Sequence, residues 1–144
     1  RGIPLFVGVL NGAFMFFAEL LQRISFPCEV SFVRLSSYHG TASSGNVTEV
    51  LGLREEIAGR HVIIVEDIVD TGESIRRLTD SLEARHPASL EVATLLFKPS
   101  AYRNYRPIRY AAMEATDGFI VGFGLDYDGL GRNLRDIYQL AEEQ

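Results

Sequence analysis

Apolar positions along this chain follow two rhythms. The run LFVGVL over residues 5–10 and the start of HVIIVED over 61–67 are apolar without alternation, which predicts strands covered on both faces, as in a parallel sheet. After the first run, Phe14, Phe17, Ala18 and Leu21 fall on one side at helical spacing and predict a helix over 13–24. After the second, Ile75, Leu78 and Leu82 repeat the pattern from Ser74 onward. CEVSFVRLS (28–36) is a further strand candidate. SYHGTASSGNVT (37–48) has almost no apolar content and predicts a long mobile loop, followed by a short strand near 48–53. SLEVATLLF (89–97) and FIVGFGL (119–125) read as two more strands, and RYAAMEA (109–115) as a weaker one. Strand and helix alternation of this kind predicts an α/β fold: an open, mainly parallel twisted sheet flanked by helices. Ligands then gather outside the C-terminal ends of the strands.

Length and charge narrow the possibilities. With 144 residues the chain is the size of one ordinary domain, and residues 1–144 are read as a single unit. It begins at Arg1 rather than Met, so some upstream residues are expected to be missing. A net charge of -5 and the lack of a basic stripe exclude nucleic acid as the expected partner. An anionic ligand must therefore be held by backbone N–H groups, a few placed cations and metal ions. Arg1 and the apolar residues after it imitate a secretion signal, but Pro4 and Asn11-Gly12 interrupt the run. No stretch reaches the roughly 18 apolar residues of a membrane span. The single Cys28 forms no internal disulfide and fits a cytoplasmic location, where its simplest role is that of a small buried hydrophobe.

The chemistry concentrates in VIIVEDIVDTGES, residues 62–74. Glu66, Asp67 and Asp70 crowd the end of a buried strand, where their mutual repulsion is costly. Thr71, Gly72, Glu73 and Ser74 then offer small or hydroxyl side chains and backbone N–H groups at a helix N-terminus, the make-up of a phosphate cradle. For one isolated Asp, a solvated capping loop is the better explanation. Three carboxylates beside a cradle fit instead a phosphorylated sugar, with hydroxyls for the acids to hold and Mg²⁺ to organise a diphosphate.

These residues resemble the phosphoribosyl pyrophosphate motif of the type I phosphoribosyltransferases. Other blocks resemble the hypoxanthine and guanine members of that family: VLNGAFMF the pyrophosphate-binding turn, RLSSYHGTASSGN the flexible catalytic loop, LLFKPS the purine-contacting Lys segment, DGFIVGFGLDYDGLGRNL the C-terminal region that stacks on the base. Five blocks in family order, from residue 9 to residue 134, carry the resemblance.

The resemblance implies a small C-terminal hood over the site and displacement of pyrophosphate from ribose C1 by a 6-oxopurine nitrogen, giving IMP and GMP in purine salvage. It implies Asp70 as general base on the purine, and Glu66 and Asp67 on the ribose hydroxyls, directly or through metal-bound water. Thr71, Gly72, Glu73 and Ser74 would hold the 5'-phosphate. Leu10, Asn11 and Gly12 would turn N–H groups to the pyrophosphate across a cis Leu10–Asn11 peptide, and Ser37 and Tyr38 would close over the site and exclude water. Lys98 would donate to the 6-oxo group, Phe119 would stack on the ring, and Ile120 and Asp126 would lie at its edge. Arg132 would clamp pyrophosphate. Mg²⁺ is the implied cofactor, with Glu66, Asp67 and Asp126 as candidate metal ligands, and a homodimer or homotetramer is the implied assembly.

Taken alone, several of these residues have plainer explanations: Lys98 as a surface Lys lying along apolar neighbours, Phe119 as core, Asp126 as part of a surface turn. Two departures from the family pattern bear on affinity. Asn11 stands where many relatives carry Lys, and Glu73 places a negative side chain inside the phosphate loop, from which it is expected to point outward. Other phosphoribosyltransferases, for xanthine, adenine or a pyrimidine, and a non-catalytic sensor of phosphoribosyl pyrophosphate are the alternatives. A two-component receiver domain is disfavoured because its acids lie on separate strand ends, and neither a dinucleotide-binding nor a P-loop string occurs.

Overall fold

In the computed structural model, residues 2–39, 46–116 and 118–141 are described, with the side chains of 36–39 and 46–51 outside the description. The main sheet has six strands: β1 (Leu5–Leu10), β2 (Glu29–His39), β3 (Asn46–Leu51), β4 (His61–Val69), β5 (Ser89–Phe97) and β6 (Tyr110–Glu114). Their order is β3-β2-β1-β4-β5-β6. Five of them run parallel, and β3 is antiparallel to β2 at one edge.

The unbroken apolar runs are explained by helices on opposite faces. Alternate residues of β1 point to opposite sides. Leu5, Val7 and Val9 share a core with Val62 and Ile64 of β4 and with Ile75, Leu78 and Leu82 of α2 (Glu73–Glu83). Phe6, with Val65 of β4, packs under Phe17 of α1 (Phe14–Gln22), flanked by Leu20 and Leu21. Each such fully buried side chain contributes roughly 1.5–3 kcal/mol by leaving water, and Phe17, Ile64 and Leu78 are all buried. This two-sided burial holds the C-terminal ends of β1 and β4 side by side.

Two expectations change. β2 runs on to His39 and β3 starts at Asn46, so much of the polar stretch is a strand pair, with Ser37 opposite Thr48 and Tyr38 opposite Val47. Residues 40–45 of the expected mobile loop lie outside the described residues. FIVGFGL is not a strand of the main sheet: only Ile120–Val121 form β7, which pairs antiparallel with β8 (Tyr138–Gln139) in a separate two-stranded unit. Positive φ angles at Gly122, Phe123 and Gly124 take the backbone out of the extended region and end the strand there. Among the described residues, no helix is long and apolar enough to cross a membrane.

Candidate active site

β1 and β4 end together, and the acidic turn continues from β4 into α2. A cavity of about 370 Å³ opens there, walled by Leu10 at the end of β1 and Gly12 just beyond it, by the whole run from Glu66 to Ile75, and by Asp126 and Arg132 from the C-terminal region. A second hollow of about 240 Å³ adjoins it, lined by Lys98, Gly118, Phe119, Ile120 and Leu125. Asp67, Ile68, Asp70 and Asp126 line both. Residues from four separate blocks of sequence thus share one double cleft.

Its floor is acidic and partly buried. Glu66 is buried, and its carboxyl is pushed well above the usual carboxylate range, first by burial and then by the charge of Asp67. Burial also raises Asp67, against the opposing pull of the Ile68 N–H, which donates to Asp67 Oδ1 at 2.8 Å, and of the Arg132 charge. Both carboxyls are thus shifted in the same direction, upward, with burial the leading cause for each. Against this pair sits Gly12, where an added Cβ would lie 1.9 Å from Asp67 Oδ2. Only glycine lets the β1 turn approach so closely. The Leu10–Asn11 peptide before it is cis, the geometry the resemblance implies, and Asn11 is exposed beside the cavity wall.

The cradle forms where Gly72, at φ 88°, turns the chain into α2. No side chain of the N-cap residue occupies the helix start. Glu73 pairs its carboxylate with Arg77 at 3.1 Å, one turn along the helix, which directs the negative group along α2.

Asp70 is half exposed at the junction of the two hollows, and its Oδ2 lies 3.8 Å from Lys98 Nζ. Lys98 is only 11% exposed and donates to Gly118 O at 3.0 Å, so it lies inside the second hollow rather than on the surface. Phe119 is exposed over that hollow and meets Tyr127 edge to face, with ring centroids 5.4 Å apart. Ile120 lines the same hollow, half-buried. Asp126 accepts the Gly129 N–H at 2.9 Å and pairs with Arg132 at 3.4 Å, while Arg132 donates to Gly124 O at 2.7 Å. The turns on either side of the cavity also touch: a Cβ on Gly124 would fall 2.3 Å from Gly12 O.

Ser37 and Tyr38 have their backbones in β2, but their side chains lie outside the described residues. Among the described residues, no three His, Cys, Asp or Glu side chains converge on one point as a ready-made metal cage. Glu66, Asp67 and Asp126 are hard oxygen donors on the cavity wall, a set that suits a cation arriving with substrate phosphates and water. Two features were not anticipated. Tyr127 is the edge partner of Phe119, hidden in the sequence as part of a surface turn. Tyr102 and Asn104 stand behind the phosphate turn, in a stretch with no motif to mark it.

The chain is similar to known proteins along most of its length. The phosphoribosyl transferase domain family matches residues 1–128. The chain is 41% identical to the hypoxanthine phosphoribosyltransferase of Haemophilus influenzae, over 96% of this chain and 78% of that protein. It is 43% identical to the hypoxanthine-guanine phosphoribosyltransferase of Streptococcus pneumoniae, over 97% and 78%. Among solved structures, a Trypanosoma cruzi hypoxanthine phosphoribosyltransferase in a ternary substrates complex superposes with a TM-score of 0.90 at 36% identity, covering 97% of this chain and 77% of that one.

Proposed function

We propose that this chain, which belongs to the phosphoribosyl transferase domain family, transfers a 5-phosphoribosyl group from phosphoribosyl pyrophosphate to hypoxanthine and guanine, releasing pyrophosphate. The observation that carries the reading is the double cleft: a cradle rich in amides and acids and a hollow with Lys98 and an aromatic wall, meeting at Asp70.

In this reading the N–H groups and hydroxyls of Thr71, Gly72, Glu73 and Ser74 hold the 5'-phosphate at the start of α2. Glu66 and Asp67 accept from the ribose hydroxyls. Bond breaking at C1 leaves positive charge on the sugar and negative charge on pyrophosphate, and catalysis requires both to be met more strongly in the transition state than before it. The carboxylates beneath the ribose serve the first. Amides of the turn over Leu10, Asn11 and Gly12, together with Arg132, serve the second. Bound Mg²⁺ would neutralise pyrophosphate charge, with Glu66, Asp67 and Asp126 as its protein-side oxygens.

On the base side, Lys98 donates to the 6-oxo group, Phe119 stacks on the ring, and Ile120 and Asp126 border its edge. Lys Nζ has donors and no acceptor, so it favours a 6-oxo over a 6-amino purine. Asp70, within reach of both hollows, takes the proton from the imidazole nitrogen as that nitrogen attacks C1. Ser37 and Tyr38 cover the cleft during the reaction, excluding the water that would otherwise capture the sugar cation. A cytoplasmic location and a homodimeric or homotetrameric assembly complete the proposal.

The test is a panel of hypoxanthine, guanine, xanthine, adenine and uracil with phosphoribosyl pyrophosphate and Mg²⁺, following pyrophosphate release. Turnover is expected with hypoxanthine and guanine. Turnover with adenine or uracil alone, or with no base, overturns the assignment.

A further inference from the structure

The phosphate turn is held from behind by residues 98–106, a segment given no contact with the sugar phosphate above. Lys98 N–H donates to Val69 O at 3.0 Å, Arg103 N–H to Thr71 O at 2.9 Å, and Asn104 Nδ2 to Gly72 O at 3.3 Å. Asn104 is itself held, because its Oδ1 accepts the Arg106 N–H at 3.1 Å. The Tyr102 ring lies directly against the turn: a Cβ on Gly72 would fall 2.5 Å from its Cε2. Its hydroxyl donates to Arg106 O, closing the 102–106 segment on itself.

The consequence follows from the planarity of the peptide. In a trans peptide the carbonyl and the next residue's N–H point in opposite directions. Each carbonyl drawn toward residues 98–106 therefore turns the following N–H the other way. Val69, Thr71 and Gly72 are the carbonyls held, so the amides of Asp70, Gly72 and Glu73 are aimed away from the brace, and all three residues line the cavity on the opposite side. Among the described residues, Glu73 N–H has a long 3.4 Å contact with Thr71 Oγ1 and no other acceptor within the turn. Gly72 O also accepts the Arg76 N–H at 2.9 Å, so the Asn104 bond fixes a carbonyl that begins α2 as well.

We propose that Asn104 is a positioning residue: from outside the cavity, with Arg103 N–H and Tyr102, it sets the direction of the amides that bind the 5'-phosphate. This rests on the reading of the cradle given above. Asn104 never touches substrate. Its removal should therefore weaken ligands that carry the phosphate and leave the others alone.

The test compares wild type with Asn104→Ala and Asn104→Asp. The aspartate keeps the acceptor for Arg106 N–H, and with it the loop, while losing the donor to Gly72 O. Tyr105→Ala, at an 81% exposed neighbour, is the control. Steady-state kinetics and calorimetric titration with IMP and with inosine, which lacks the phosphate, are the readouts. For either Asn104 variant the expected result is a rise of roughly tenfold in KM for phosphoribosyl pyrophosphate and an equal weakening of IMP, as for loss of amide alignment on a charged acceptor. KM for the base and inosine affinity should stay within about twofold of wild type, the scatter of a surface change. Persistence of the Asn104→Asp effect at high salt separates misalignment from simple repulsion of the phosphate.

An unchanged KM for phosphoribosyl pyrophosphate in the aspartate variant overturns the proposal. So does a parallel loss for IMP, inosine and base, which marks general loosening, or an effect of Asn104→Asp that salt abolishes. A wild-type protein that binds neither IMP nor phosphoribosyl pyrophosphate removes the parent reading along with this one, an outcome distinguishable from the others.

Discussion

The two halves of the cleft are built in different ways. The phosphate half is backbone: a turn between a buried strand and a helix, with Gly12 and Gly72 setting its close approaches, its carbonyls tied to residues 98–106 and its acids sunk in the sheet end. The base half is side chains: Lys98 at the end of β5 and Phe119, Ile120 and Asp126 around the small β7-β8 unit, with Phe119 and Tyr127 both exposed. In the proposed reading, backbone amides anchored by the core present a fixed surface to a group that never varies, the phosphate. Side chains on a lightly packed hood can be exchanged with little cost to the fold, so base preference is the more changeable property.

Substitutions across this divide should behave differently, and the largest difference belongs to the junction. Asp70→Asn, nearly isosteric and half exposed, is expected to lower kcat by about 10²–10⁴-fold, the usual range for a general base. Its KM values should hold. Near-normal kcat across pH would remove Asp70 from the chemistry.

Lys98→Met comes next. Loss of the cation opposite the 6-oxo group should raise KM for hypoxanthine by roughly 10–100-fold, as for a buried charged hydrogen bond. KM for phosphoribosyl pyrophosphate should be untouched; equal loss for both substrates would mean that the two halves are not separable. Phe119→Leu should be milder, a rise of about threefold to tenfold in KM for the base, matching the worth of one aromatic contact.

The smallest expected effect reverses sign. Because burial and the Asp67 charge raise the Glu66 carboxyl in the folded chain, ionising it opposes folding. Its penalty is absent below the ordinary carboxylate range and grows as pH rises from there toward the raised folded-state value. Glu66→Gln should therefore raise the Tm of the ligand-free protein at neutral pH, by an amount that shrinks on acidification, while lowering activity with Mg²⁺ and phosphoribosyl pyrophosphate. A Tm below wild type at neutral pH would show that Glu66 is stabilising, and that its burial is compensated by something other than substrate.

Much of this was legible locally. The runs at 5–10 and 61–67 announced strands covered on both faces, and α1 and α2 fall where the apolar spacing puts them. The phosphate half was legible because its parts, Glu66 to Ser74, are consecutive. The hood was less so. Three positive-φ residues from Gly122 to Gly124 end the apolar run FIVGFGL as a strand, and apolarity alone does not reveal a backbone turn. The polar stretch after Ser36 pairs as strand nonetheless, because register with a neighbour can override weak local preference.

What the sequence determined by itself was the set of local matters: which segments are buried strands, which residues form the acidic turn, and which family these blocks resemble. Those rest on short-range periodicity and on neighbours in the chain. Only the tertiary structure decided that Lys98, Phe119, Asp126 and Arg132 share a cleft with Asp70, and that Asn104 grips the turn from behind. Such contacts join segments far apart in sequence, and their geometry exists only once the sheet order has been chosen and both faces closed.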